Sequence, residues 1–147
     1  SALATTGFLQ IKEATLEAAD ATGSDHPDVR LNAMGRGYLR WALNNRALFR
    51  AVSHPDVNRF AEEALTEAMS QLSNTVRDAV AATQQNGRHP EVSPEILTLF
   101  TNSVPIGVAS ALINPFFASS AGFEDLDEET LIEQVINLVV PLPTEAT

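Results

Sequence analysis

The apolar residues of this chain recur at intervals of three and four, which is the spacing of one face of an α-helix. The clearest pattern lies within residues 56–86, at Val57, Phe60, Ala61, Ala64, Leu65, Ala68, Met69, Leu72, Val76, Ala79 and Val80. Similar patterns predict helices over residues 3–21, 28–45, 47–52 and 93–118, and a last helix that begins at Asp127. The chain is therefore predicted to be all-α, with short turns between its helices.

His-Pro pairs occur three times, at residues 26–27, 54–55 and 89–90, and an acidic residue follows each pair. Proline fits the first turn of a helix, and an acid there lies at the positive end of the helix dipole. Each pair therefore marks a point where a helix can begin. Ser93 before Pro94 is a further start signal, because serine is a good N-cap.

Length and composition limit the possible classes of protein. The 147 residues fit one domain, residues 1–147, with a single core. The absence of cysteine excludes a disulfide framework, a thiol nucleophile and a thiolate metal site. The formal net charge of −10 opposes binding to nucleic acid, whose affinity for proteins depends largely on Lys and Arg. The chain by itself is not expected to bind DNA.

Positive charge is concentrated in residues 30–59, which carry six arginines against one aspartate. Arg36 and Arg40 lie one helical turn apart in this stretch. One interpretation is a solvated basic face that acidic neighbours neutralise. The other is that this arginine pair faces an anionic partner or a ligand carboxylate.

The last two predicted helices carry more apolar surface than a monomer of this size can easily cover. Between Ile96 and Phe117 the apolar residues surround the helix, so that it must be buried on all sides. We predict a homodimer in which both helices pair with their copies in a four-helix bundle, and burial within a monomeric bundle is the alternative. The predicted interface residues are Ile96, Val108, Leu112, Ile113, Phe116, Leu131, Ile132, Val135, Ile136 and Val139.

A pocket for a small hydrophobic or aromatic ligand is the most specific site that the sequence suggests. Tyr38 and Trp41, the only Tyr and Trp, share one helix face, and further apolar side chains lie on neighbouring faces. The alternative is that these residues form an ordinary core. The predicted ligand-binding residues are Tyr38, Trp41, Phe49, Phe60, Met69, Phe100, Asn102, Ser103 and Val104, with Tyr38, Asn102 and Ser103 as the polar groups.

The sequence offers no pattern typical of an enzyme. The three histidines all precede prolines at predicted turns, so that no pair of them has the spacing of a helical metal site. A glycine-rich phosphate loop, a nucleophile elbow and a dinucleotide fingerprint are all missing. We therefore predict no catalytic activity, no cofactor and no metal site.

The chain is not predicted to enter a membrane. The most apolar segment, residues 96–118, is interrupted by Asn102, Pro105, Asn114 and Pro115, which makes it a poor membrane span. Pro105 also removes one backbone donor and is expected to kink its helix. No secretory signal is visible in the sequence, and a cytoplasmic location is expected.

Residues 37–50, Gly-Tyr-Leu-Arg-Trp-Ala-Leu-Asn-Asn-Arg-Ala-Leu-Phe-Arg, resemble a segment of the TetR family of bacterial transcriptional regulators. Members often show Gly-x-Tyr-x-x-Phe-Ala there, followed by Leu-Phe/Tyr-Arg. Arg46 stands where many relatives have proline. The order of the predicted helices also resembles that family's C-terminal regulatory half. The resemblance implies a six-helix orthogonal bundle whose last two helices form a dimeric four-helix bundle.

The resemblance further implies how such a chain works. A helix-turn-helix that reads DNA would lie before Ser1, and a repressor would bind DNA only through it. A small hydrophobic effector would favour one tilt of the first helix and so change the spacing of the two reading heads in the dimer. The alternative hypothesis is a stand-alone helical protein that binds a hydrophobic ligand or a partner helix and regulates no gene.

Overall fold

The computed structural model describes residues 2–54, 56–57, 62–114, 116, 122 and 125–144. These residues contain six α-helices and no strand, which confirms the predicted all-α class. The helices are α1 (Ala2–Ala21), α2 (Pro27–Asn44), α3 (Arg46–Ser53), α4 (Glu63–Gln85), α5 (Pro94–Ile113) and α6 (Glu128–Val139).

Side-chain caps define the starts of three helices. The His26 Nδ1 atom accepts a hydrogen bond from the Asp28 amide, 3.2 Å away, at the start of α2. Ser93 Oγ accepts from the Ile96 amide at 3.2 Å at the start of α5. Asp127 accepts from the amide of Thr130 at 3.0 Å at the start of α6, and this bond lowers the pKa of the Asp127 carboxyl. These caps account for the predicted starts at residues 28, 93 and 127.

Two predicted helix boundaries and one predicted start signal are wrong. The helix predicted over residues 56–86 begins only at Glu63, because Asp56 and Val57 lie in a turn. The helix predicted over residues 93–118 ends at Ile113. Residues 26–27 begin α2, whereas Pro90 lies in the turn before α5; for the pair at residues 54–55, Pro55 and residues 58–61 lie outside the described residues.

α2 is the central element, and it contacts each of the other five helices. Half of its residues are buried, among them Leu39 and Ala42, which are completely inaccessible to solvent. Two glycines, one in α1 and one in α2, allow α1 to lie close to α2 and α3. A Cβ atom on Gly37 would lie 2.8 Å from the Cβ of Ala18, and one on Gly7 would lie 2.5 Å from a methyl group of Val52 in α3. α1, α2 and α3 are therefore packed nearly backbone to backbone.

A fully buried asparagine joins α2 to the end of α6. The Asn32 side-chain amide donates to the carbonyl oxygen of Val140 at 2.7 Å and to Asn137 Oδ1 at 2.9 Å. Its own oxygen accepts from Arg36 Nε at 2.8 Å. All the hydrogen-bonding groups of this buried side chain are thereby used, as buried polar groups require.

Candidate functional site

A cavity of about 230 Å³ lies among five of the six helices. α1 contributes Phe8, Ile11 and Thr15, α2 contributes Leu31, Met34, Gly35 and Tyr38, α4 contributes Leu72, Ser73 and Val76, α5 contributes Thr101, Asn102, Pro105 and Ile106, and the end of α6 contributes Ile136, Val139 and Val140. Only α3 takes no part among the described helices.

The cavity wall is mainly apolar and carries no ionised group at neutral pH. None of the described residues that line it is Asp, Glu, Lys, Arg or His. Burial raises the pKa of Tyr38 even above its usual value, so that its phenol stays neutral. The Thr15 hydroxyl is already used, because it donates to the carbonyl oxygen of Lys12 at 2.9 Å. Such a wall suits an uncharged, largely apolar molecule.

Thr101 is the least satisfied polar residue of this wall. Its side chain is only 6% exposed, and its hydroxyl oxygen has no hydrogen-bond partner among the described residues. Position 105, four residues later, is a proline, which has no N–H to donate to the Thr101 carbonyl. Thr101 therefore has an unpaired hydroxyl and lacks the usual helical donor to its carbonyl.

Of the residues predicted to bind ligand, the structure brings Tyr38 and Asn102 to the cavity. Trp41 and Phe49 belong instead to the core beside α1, where they are 7% and 3% exposed. The Trp41 indole N–H donates to Gln10 Oε1 at 2.9 Å, which directs the ring towards α1. The two aromatic rings of α2 lie 6.5 Å apart, but only the tyrosine lines the cavity.

The other predicted pocket residues do not line this cavity. Phe100 and Ser103 are exposed, because they lie on the side of α5 that faces away from α2. Val104 packs against the buried cluster that includes Leu31, Val80 and Leu97. Met69 is half-buried elsewhere on α4. Phe60 lies outside the described residues.

Sequence reasoning missed the contributions of α1 and of the end of α6. Phe8, Ile11 and Thr15 are spaced three and four residues apart, and this helical spacing was the available signal. Periodicity shows which face of a helix is apolar but not which other helix that face meets. For the same reason it could not assign Ile136 and Val139 to the cavity.

Four residues predicted at the dimer interface are buried inside the single chain. Ile113, Ile132, Ile136 and Val139 are each at most 7% exposed. They face the other helices of the same chain, and a Cβ on Gly35 of α2 would lie only 3.0 Å from Ile136 Cδ1. A second copy cannot contact side chains that α2 already covers.

The other predicted interface residues lie at the surface. Val108, Leu112, Leu131 and Val135 are half-buried and line an apolar groove of about 290 Å³ between α5 and α6. The outer wall of this groove includes Leu126 and Leu138, which are 55% and 84% exposed. Ile96 and Phe116 are also exposed.

The outer face of α5 is apolar and exposed along much of its length. We call the set Ile96, Leu99, Phe100 and Ile106 the α5 stripe; each member is at least 44% exposed, and Ile106 also lines the edge of the cavity. By length and composition α5 is apolar enough to cross a membrane. One such helix is weak support for a membrane span, because the core helix of a soluble protein passes the same test.

The arginines of α2 bind other parts of the chain and do not line the cavity. Arg40 forms an ion pair with Glu129 of α6 at 2.9 Å, and this hydrogen bond lowers the pKa of Glu129. Arg36 donates to Asn32. The hypothesis that this pair contacts a ligand carboxylate is therefore not supported by the cavity wall.

A family model described as "Tetracyclin repressor-like, C-terminal domain" matches residues 31–138. The chain belongs to this family. Neither the search of curated proteins nor the search of solved structures gave a match. The match runs from α2 into α6, so that this TetR-like domain includes four of the five helices that form the cavity. C-terminal domains of this family belong to regulators and not to enzymes.

The TetR-like domain offers no group of side chains suited to a metal ion in the part that the structure describes. Sets of three or more His, Cys, Asp or Glu do not come together there.

Proposed function

We propose that this chain is the effector-binding and dimerisation domain of a TetR-like transcriptional regulator of the bacterial cytoplasm. The observation that carries the proposal is the apolar cavity, whose wall includes α1. Membership of the family supports a helix-turn-helix before α1 as the part that reads DNA. The net charge of −10 is consistent with DNA being read by the helix-turn-helix and not by this domain, because the domain itself would repel the phosphate backbone.

The proposed mechanism is a shift between two positions of α1. Phe8, Ile11 and Thr15 place three successive turns of α1 against any molecule in the cavity. An effector that fits the wall better in one position of α1 shifts the population towards that position, by no more than its difference in affinity. Two reading heads enter successive major grooves only when they lie about 34 Å apart, so a tilt of both α1 helices would release the operator.

We further propose a homodimer formed by the outer faces of α5 and α6. Exposed apolar patches of this extent usually mark an interaction site. The surface consists of the α5 stripe and the groove with Leu112, Leu131 and Leu138. The proposed interface therefore leaves out the buried residues Ile113, Ile132, Ile136 and Val139, which the sequence pattern had included. A second copy is the occupant that membership of the family favours.

Matched tryptophan substitutions on α4 test the effector site. Ser73 and Ser70 are both exposed, but only Ser73 lines the cavity. Small neutral aromatic compounds that raise the melting temperature of the wild type are expected to lose this effect in Ser73→Trp and to keep it in Ser70→Trp. If no compound stabilises the folded domain, or if both variants respond alike, the cavity is not the effector site.

The dimer is tested by light scattering coupled to size-exclusion chromatography. Leu138→Glu places a charge on the proposed surface and is expected to give monomers, because an unpaired charge is costly to bury. Leu9→Glu is the control, since Leu9 is 48% exposed on α1, away from that surface. Equal masses for Leu138→Glu and the wild type would rule out this surface.

A further inference from the structure

The volume of the cavity suits a small molecule. Pockets for drug-sized ligands usually measure about 300–1,000 Å³, whereas this one has about 230 Å³. An apolar cavity of about 150 Å³ is large enough for benzene. The available volume therefore corresponds to one ring with a short substituent.

The chemistry of the wall excludes a charged ligand. A carboxylate or ammonium group in the cavity would meet no opposite charge among the described lining residues. The free energy needed to remove an unpaired charged group from water is much larger than the free energy gained from apolar contacts in the cavity. The wall therefore selects neutral molecules, and its few polar groups decide among them.

Among the polar groups of the wall, the Thr101 hydroxyl is buried without a hydrogen-bond partner in the described part of the chain. A threonine within a helix can donate its hydroxyl to the carbonyl four residues earlier, but this hydroxyl makes no hydrogen bond within the described residues. The hydroxyl oxygen is itself buried, so a molecule bound in the cavity that Thr101 lines would meet it only after a rotation about χ1. Its carbonyl also lacks the donor that position 105 would supply if it were not proline.

A ligand hydroxyl can both accept a hydrogen bond from the Thr101 hydroxyl and donate one to it, whereas a ketone or an ether can only accept. We infer that the ligand of this cavity is a neutral, ring-sized molecule that bears a hydroxyl group, such as an alkylphenol, and that Thr101 binds this hydroxyl. The inference rests on the proposed role of the cavity as the effector site.

Calorimetric titration of the domain with 4-ethylphenol, ethylbenzene and 4-ethylbenzoate tests the ligand class. The quantity compared is the ratio of the Kd of ethylbenzene to that of 4-ethylphenol, in the wild type and in Thr101→Val. Comparing ratios cancels the difference in hydrophobicity between the compounds. The ratio is expected to fall about three- to tenfold in the variant, which corresponds to one net hydrogen bond. The benzoate is expected to bind most weakly.

Thr98→Val is the matched control. Thr98 lies one turn earlier on α5 and also has a buried hydroxyl with no partner among the described residues, but it does not line the cavity. Its substitution is expected to leave the ratio unchanged. An unchanged ratio in Thr101→Val, or an equal fall in both variants, would overturn the role of Thr101.

Two further outcomes separate this inference from the proposed function. If ethylbenzene or 4-ethylbenzoate binds the wild type more tightly than 4-ethylphenol, the hydroxyl-bearing class is wrong while the cavity remains a ligand site. This comparison needs no variant, so it holds even if Thr101→Val does not fold. If neither these compounds nor the 4-alkylphenols from methyl to butyl bind the folded wild type, the proposed effector site fails, and the ligand class fails with it.

Discussion

Replacing Asn32 by aspartate tests how the end of α6 is held against the cavity. The substitution preserves the shape of the side chain but turns its NH₂ group into an oxygen. That oxygen would lie about 2.7 Å from the carbonyl oxygen of Val140, where Asn32 now donates a hydrogen bond. The contact with Arg36 would survive, because the other oxygen still accepts from its Nε atom.

The expected cost follows from these contacts one by one. Asn137 can turn its amide and donate to the new carboxylate, so that this contact is kept. The Val140 carbonyl remains buried beside another acceptor, which costs about 1–3 kcal/mol for the lost partner alone. With repulsion and the desolvation of a buried carboxylate added, which the Arg36 guanidinium offsets in part, we expect a loss of at least about 2–3 kcal/mol. In a domain of this size that lowers Tm by about 5–10 °C.

Differential scanning calorimetry at one fixed protein concentration measures this loss. Asn74→Asp is the control, because Asn74 is exposed on α4 and only accepts a hydrogen bond from Arg77 at 3.3 Å. It is expected to melt within about 1–2 °C of the wild type, as exposed substitutions usually do. If Asn32→Asp melts together with this control, the asparagine does not fix the end of α6.

Three other predictions concern the contacts of α2. Gly37→Ala is expected to lower Tm in a thermal melt, because a Cβ only 2.8 Å from the nearest α1 side-chain atom costs about 1–3 kcal/mol, more than the roughly 1 kcal/mol gained in helix propensity. Glu129→Gln weakens an exposed ion pair with Arg40 and is expected to cost less than about 1 kcal/mol. Since the pKa of Glu129 is lowered in the folded state, the small stabilisation exists above its unfolded-state pKa and is lost as the pH falls through the folded-state value. Gln10→Leu is expected to reduce any effector-induced change in Trp41 emission without changing effector affinity, because the indole contacts α1 and not the cavity.

Each of these predictions has a contrary result. Wild-type stability of Gly37→Ala would mean that α1 can move away from α2 at little cost. Wild-type and Glu129→Gln proteins with parallel stability curves between pH 3 and pH 7 would remove any role for the ion pair. An undiminished emission change in Gln10→Leu would mean that the effector reaches the indole directly.

The sequence predicts most of the helices because their starts have local chemical causes. Ser93 and Asp127 accept hydrogen bonds from amides of the first turn, and such caps depend only on nearby residues. The start of α4 could not be predicted in this way, because Asp56 and Glu63 are both acceptable first-turn acids. The first buried residue of α4 is Leu65, so packing against the rest of the domain accompanies the later start.

The candidate site was predicted only in part because it depends on how faces of different helices meet. The aromatic residues of α2 indicated a pocket, yet Trp41 turns towards α1 while Tyr38 lines the cavity. The apolar residues of α6 indicated an interface, yet Ile132 and Ile136 face α2 of the same chain. Helical spacing groups residues by face, but tertiary packing decides whether a face meets its own chain or a second copy.

The two glycine contacts of α1 determine how a mechanical signal can travel through the domain. At Gly37 the backbone of α2 lies close to Ala14 and Ala18 of α1, and at Gly7 the backbone of α1 lies close to Val52 of α3. A tilt of α1 would therefore also shift the residues of α2 and α3 at these contacts. α2 is also hydrogen-bonded to the end of α6 through Asn32. A movement of α2 that begins at the cavity would therefore also displace the end of α6, close to the surface proposed to join two copies. Ligand binding and subunit association would then be thermodynamically coupled. A substitution in the cavity would change the affinity between subunits, and one at the subunit surface would change the affinity for the ligand.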